Sequence, residues 1–171
     1  MRKKGEPLLF REVQYFRQPW LWFIVLGISS IAIYSVVEQL ILGRPFGDSP
    51  ASDSLVLAVG IIFGVALPVL FYGMNLTTEV REDGLSYRLF PFHRSFQRIG
   101  SSDIRHGQSV SYRPLRDYGG WGIRYGADGK AYNVSGNRGV RLELRDGRRI
   151  LIGSQRPEDL AAAVQIITGG S

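Results

Sequence analysis

Two apolar runs, Pro19 to Leu42 and Leu55 to Leu76, dominate the first half of the chain, and the second holds no charged residue. About 20 apolar residues, each rising about 1.5 Å along a helix, cross a hydrocarbon core roughly 30 Å thick. The second run carries thirteen Leu, Ile, Val and Phe residues. At roughly −0.3 to −0.6 kcal/mol apiece they favour insertion by about 4–8 kcal/mol. In the first run Glu38 and Gln39 lie near the distal end, where a carboxylate reaches the interface at less cost than at mid-bilayer. The pattern predicts a two-helix membrane hairpin.

Basic residues close to the spans set the expected orientation. Arg11 and Arg17 precede the first run, with Arg2, Lys3 and Lys4 further out, and Arg81 and Arg88 follow the second; between the runs only Arg44 stands beside Asp48 and Asp53. Both termini are therefore expected in the cytoplasm, at the cell membrane, with the loop outside. Tyr15, Trp20, Trp22 and Tyr72 fall where an aromatic belt belongs, and Pro19 suits a first helical turn. A cleaved signal peptide is the rival for the first run, but its apolar stretch is longer than a typical signal core and a polar stretch through Gln18 precedes it. Gly60 and Gly64 form a GxxxG pair that permits close helix approach, although glycine is common in membrane helices generally. Pro68 removes one intrahelical hydrogen bond and is expected to kink the second span.

The rest of the chain divides accordingly. Residues 1–18 read as a cytoplasmic amphipathic segment, because Leu9, Val13, Phe16 and Trp20 recur at helical spacing; the helix lies on the inner leaflet, continues the first span, or docks on the soluble domain. Residues 19–42 and 55–76 are the spans, 43–54 an external loop, and 77–171 a cytoplasmic domain of 95 residues, enough for a modest core. In that domain the period changes to two. Strands are expected at Thr77–Arg81, Leu85–Phe90, Phe92–Ile99, Ile104–Tyr112, Trp121–Tyr125 and Ala131–Ser135, with turns at Glu82-Asp83-Gly84 and 126–129. Val140, Leu142 and Leu144 alternate with Arg141, Glu143 and Arg145, Asp146-Gly147 turns, and Ile150 and Ile152 return. Pro157, Glu158 and Asp159 open a last helix with a Leu160, Ala161, Val164, Ile167 stripe, ended by Gly169-Gly170. The expected fold class is α+β.

Gly120-Trp121-Gly122-Ile123-Arg124, Gly139 to Leu144, Asp146-Gly147, Ile150 to Ser154 and Pro157 to Leu160 resemble bacterial pleckstrin-homology-like domains over roughly residues 77–168. That resemblance implies a small, partly open antiparallel barrel of seven strands capped by a C-terminal helix, and in some members self-association. It implies no catalytic residues.

The chemistry of the side chains narrows the function classes. There are no cysteines, so thiolate metal sites and cysteine nucleophiles are excluded. His93 and His106 lack partners at metal-ligand spacing, which argues against zinc, and no cofactor motif is present. Glu82-Asp83 and Glu158-Asp159 are explained by a turn and a helix start rather than by acid–base work. Ser135-Gly136-Asn137-Arg138-Gly139 has the composition of an anion-cradling loop, but a tight strand connection using glycine at positive φ explains it as well. Asn75-Leu76-Thr77 and Asn133-Val134-Ser135 match glycosylation sequons on the expected cytoplasmic side, where they are coincidences. Arg113, Arg116, Arg124 and Arg138 are the candidate contacts for an anion or a partner, since a basic residue near an anionic leaflet contributes about 1 kcal/mol. Fifteen basic and ten acidic residues interspersed over residues 77–171 lack the dense run of a nucleic-acid binder. The leading expectation is a non-catalytic membrane-tethered module that assembles proteins, with a homo-oligomer or a membrane-protein partner. Anionic lipid headgroup binding is the alternative, and a small membrane-bound enzyme the third class.

Overall fold

The computed structural model describes residues 7–47, 49–126 and 129–169. Arg2, Lys3, Lys4, Asp48 and the middle of the turn expected at 126–129 lie outside the described residues. The chain forms two compact units: Phe16–Met74, and a second built from the flanking pieces Met1–Tyr15 and Asn75–Ser171.

The first unit is the helical hairpin. Helix α1 runs Pro19–Ile41 and helix α2 Asp53–Gly73, both long and apolar enough to cross a membrane. Their outer faces are apolar and unburied; Phe23 is 82% and Val69 64% exposed, which suits lipid and not water. The last turn of α1, Val37–Ile41, and the middle of α2, Gly60–Ala66, are π-helical. Pro68 stands in the first turn after the second π segment. The wider turn there accommodates a residue that cannot donate to the carbonyl four positions back. Gln39 Nε2 donates to Ala51 O (2.7 Å) and Asp53 Oδ1 (2.8 Å), tying the end of α1 to the start of α2.

Gly60 and Gly64 do more than populate an apolar helix. Both are buried. A Cβ on Gly60 would lie 2.4 Å from Val36 Cγ2, and one on Gly64 3.0 Å from Ile33 Cγ1. One turn away, Ser29 Oγ lies 2.8 Å from Phe63 O and 2.8 Å from its own Val25 O. The GxxxG pair is thus consumed inside the hairpin.

Among the described residues the second unit contains nine strands in two sheets. The first sheet is an antiparallel meander of β1 (Leu8–Tyr15), β2 (Asn75–Arg81), β3 (Gly84–Phe90) and β4 (Gln97–Gly100), in that order. The second contains β5 (Ile104–Ser111), β6 (Gly122–Gly126), β7 (Gly129–Asn133), β8 (Arg138–Leu144) and β9 (Arg149–Gly153), ordered β5-β8-β9-β7-β6. All pairings are antiparallel except β7 with β9. Short helix α3 (Pro114–Tyr118) precedes β6, and α4 (Pro157–Gly169) closes the described chain. The main core joins Leu76, Val80 and Leu85 of the first sheet, Val140 and Ile152 of the second, and Leu160 and Val164 of α4, all fully buried. Gly107 in β5 makes room for α4, since a Cβ there would come within 2.6 Å of Val164 Cγ1.

Four expectations need correction. Residues 8–15 are a strand, not an amphipathic helix. Eight residues make a marginal helix alone, whereas the edge of β2 offers them a full ladder from Leu8↔Arg81 to Tyr15↔Asn75. The second apolar run leaves its helix at Gly73; Leu76 belongs to β2 and is fully buried in the β unit. The strand expected at Phe92–Ile99 shrinks to Gln97–Gly100, because Pro91 has no N–H to continue a ladder and residues 91–96 turn instead. The sheets do not close into a barrel; they are two separate ladders whose ends remain unpaired.

Strand β1 is fastened by side chains as well as by its ladder. Glu79, 3% exposed, receives Arg11 at 3.5 Å and Arg81 at 3.6 Å. The Glu12 carboxylate accepts from Ser154 Oγ (2.6 Å) and Gln155 N (2.9 Å), and Gln14 Nε2 donates to Gly153 O (2.7 Å). Arg156 donates to Arg11 O (2.8 Å) and stacks over the Phe10 ring at 4.8 Å.

The hairpin packing yields a prediction. Gly60→Leu is expected to destabilise the detergent-solubilised chain by about 1–3 kcal/mol, since the contact with Val36 cannot accept a side chain. Gly27→Leu, whose Cβ would meet nothing within 4 Å, is expected to be close to neutral. Thermal melting of the two variants side by side checks this.

Candidate functional site

The four arginines singled out by sequence separate into two pairs. Arg113 sits at the end of β5 just before α3, and Arg116 on α3 itself. With Ser111, Tyr112, Asp117 and Asn137 they line one open hollow of about 540 Å³. Pro114 starts α3, Gly119 at φ +69° stops it, and Asp117 Oδ2 accepts from Arg113 N at 2.7 Å. Arg124 and Arg138 lie elsewhere. Arg124 Nε donates to Trp121 O at 3.0 Å, and Arg138 bonds the Glu158 carboxylate at the start of α4.

The loop Ser135–Gly139 is a strand connection. Gly136 has φ +75°, a conformation that favours glycine. Its carbonyl accepts from Trp121 Nε1 (3.1 Å), Asn137 O accepts from Tyr112 N (2.8 Å), and Ser135 Oγ accepts from Gln155 Nε2 (3.0 Å). Trp121 therefore pins a loop. Under the arginine hollow, Tyr112 meets Tyr118 edge-on with centroids 5.8 Å apart, and both pack with Ala131 and Leu151 as a second small core. Burial pushes the Tyr112 phenol up to about 12, so it stays protonated near neutral pH and cannot act as a base there.

A second hollow was not legible in the sequence. It measures about 770 Å³ and is lined by Tyr87 and Gln97 of the first sheet, Tyr125, Lys130 and Tyr132 of the second, and Arg148 and Arg149 at the β8–β9 turn. Lys130 Nζ stands 5.3 Å from the Tyr125 ring centroid and 5.0 Å from that of Tyr132. Tyr87 and Tyr132 stack with their ring centroids 4.5 Å apart, and burial raises both phenols above their ordinary value. The three tyrosines come from three strands in two sheets. Only the alternation of Lys130 with Tyr132 along β7 hinted at them.

His93 buttresses this cluster. Its ring lies 5.5 Å from Tyr132 and 6.1 Å from Tyr87, and its Nδ1 accepts from Leu89 N at 3.3 Å. The turn at 91–96 places it half-buried. Burial, and secondarily the charge of Lys130, lower its pKa. His106 is exposed on β5. Among the described residues no three His, Asp or Glu side chains converge as metal ligands.

A pH dependence follows from His93. The folded chain disfavours the imidazolium, so the unfolded chain binds the proton more readily. Its contribution is present above the ordinary pKa of about 6.5 and is lost as pH falls through the lowered folded value. Stability is thus expected to drop as pH falls below about 6.5, and His93→Gln is expected to flatten that part of the profile; melting temperature against pH checks it.

No curated protein matches the chain. A sequence model covering residues 1–169 does match, and it is that of a family of unknown function. The chain belongs to that family, DUF6141.

Proposed function

We propose that the chain is a non-catalytic, membrane-anchored module that assembles proteins at the cytoplasmic face of the cell membrane. One observation carries this reading. The apolar hairpin is inserted between β1 and β2, and the ladder pairs Tyr15 with Asn75, the last residue before it and the first after it. A domain anchored through two adjacent strands of one sheet is held by both ends of its anchor, as suits a tether. If the helices cross a bilayer, the shared sheet requires both flanks on one side, and the arginines next to the spans favour the cytoplasm.

Strands followed by a terminal helix match what the pleckstrin-homology-like resemblance implies, although the described residues form nine strands where it implies seven. The ionisable groups of the two hollows support a binding role over a catalytic one. Apart from Asp117, whose carboxylate accepts from Arg113 N, they are arginines, a lysine and phenols, and burial raises the phenols Tyr87, Tyr112 and Tyr132 away from use as bases near neutrality. Crosslinking in native membranes is expected to capture a homo-oligomer or a defined protein partner. A chain that remains monomeric under gentle extraction overturns the proposal.

The second reading, contact with anionic lipid headgroups, is favoured by the shared hollow of Arg113 and Arg116. Leu115 is 70% exposed beside them, and the chain has no cysteine of its own. An environment-sensitive dye on Leu115→Cys in nanodiscs is expected to shift when anionic lipid replaces neutral lipid, and to lose the shift on Arg113→Glu with Arg116→Glu. Identical spectra in both lipids sink this reading.

A further inference from the structure

The hollow between Tyr87, Gln97, Tyr125, Lys130, Tyr132 and Arg148 has the features of a peptide groove. One wall includes β4 and the other β6, and each is the terminal strand of its sheet, with no strand on its outer side among the described residues. Terminal strands present N–H and C=O groups that an extended chain can pair with.

The charge of the groove selects the kind of chain. Lys130 Nζ rests over two tyrosine rings, which holds the ammonium in place without neutralising it. Arg148 and Arg149 engage Asp146 and Glu143 at 2.7 and 3.3 Å, but these pairs are largely exposed and exchange readily for another carboxylate. Tyr87 and Tyr132 supply neutral hydroxyls at the base, since burial keeps both protonated. Among the described residues lining the groove there is no carboxylate. The Tyr125 ring, 76% exposed, adds an apolar surface at the rim, as aromatic anchors do in protein interfaces.

We propose that this groove binds an extended acidic segment of a protein partner, with the backbone of the segment beside the free strand edges and a carboxylate on Lys130. The inference rests on the reading of the chain as an assembly module and names the chemistry of what it assembles. It assigns the recognition to a site separate from the Arg113–Arg116 hollow.

The test uses the full chain in phosphatidylcholine nanodiscs and a fluorescein-labelled eight-residue peptide alternating Glu and Thr. Anisotropy is expected to rise saturably with this peptide and not with one alternating Lys and Thr. Lys130→Glu is expected to weaken binding by about tenfold or more, as charge reversal at a contact does. Tyr125→Ala, a change at an exposed ring that leaves the core untouched, weakens it by a smaller factor, and Arg113→Glu leaves it unaltered. Equal binding of the two peptides, or no change on both Lys130→Glu and Tyr125→Ala, overturns the proposal. Full displacement by inorganic pyrophosphate at equal charge also overturns it, by making the groove a site for small anions. Crosslinking separates this proposal from the broader one. A partner still captured by Lys130→Glu leaves assembly standing and removes the groove from it; peptide binding by a chain that captures no partner does the reverse.

Discussion

The pairing of β1 with β2 is the constraint on which the rest of the structure depends. It joins residues separated in sequence by the whole apolar hairpin, so a long closed loop must be accepted before any of its hydrogen bonds form. Loop closure entropy grows only slowly with length, and the ladder is reinforced far beyond backbone bonds. Glu12 accepts from Ser154 and Gln155, Gln14 on the same face holds Gly153, and Arg156 clasps both Arg11 O and Phe10. One strand thereby binds β2 along its length and, through its side chains, the segment between β9 and α4. Breaking it would expose the edge of β2 and leave Glu79 short of one of its cations.

The two units obey different packing rules. In the β unit, large aliphatic side chains from both sheets and α4 fill a core from which water is excluded, and glycine serves where a helix seats, as at Gly107. In the hairpin, the contact surface is made of the smallest residues, Gly60 and Gly64, against Val36 and Ile33. Close backbone approach and the Ser29 to Phe63 hydrogen bond do the holding there, a packing that suits helices whose surroundings are as apolar as their own side chains. The glycines that might have joined two copies of the chain are already occupied within one.

Local patterns carried much of the architecture. The apolar runs, the Val140–Ile152 hairpin and the stripe of α4 each follow from neighbours in sequence, where periodicity and turn chemistry act directly. Strand β1 did not, because its Leu9, Val13, Phe16 spacing is ambiguous and its true partner lies beyond both spans. Helix α3 went unread although Pro114 opens it and Gly119-Gly120 ends it. At the candidate site, Arg113 and Arg116 were close in sequence and meet in space, whereas Arg124 and Arg138 satisfy the fold instead. The tyrosine groove draws on five strands, and no linear pattern records such a convergence.

If the two helices cross a bilayer, their place between paired strands couples membrane integration to folding. Strand β1 precedes the helices in the chain and β2 follows them, so the two can meet only when the chain crosses an even number of times. A chain in which one helix failed to insert would leave β1 and β2 on opposite sides, with an open sheet edge and with Glu12 and Ser154 never brought together. Completion of the first sheet would then depend on both helices being in place.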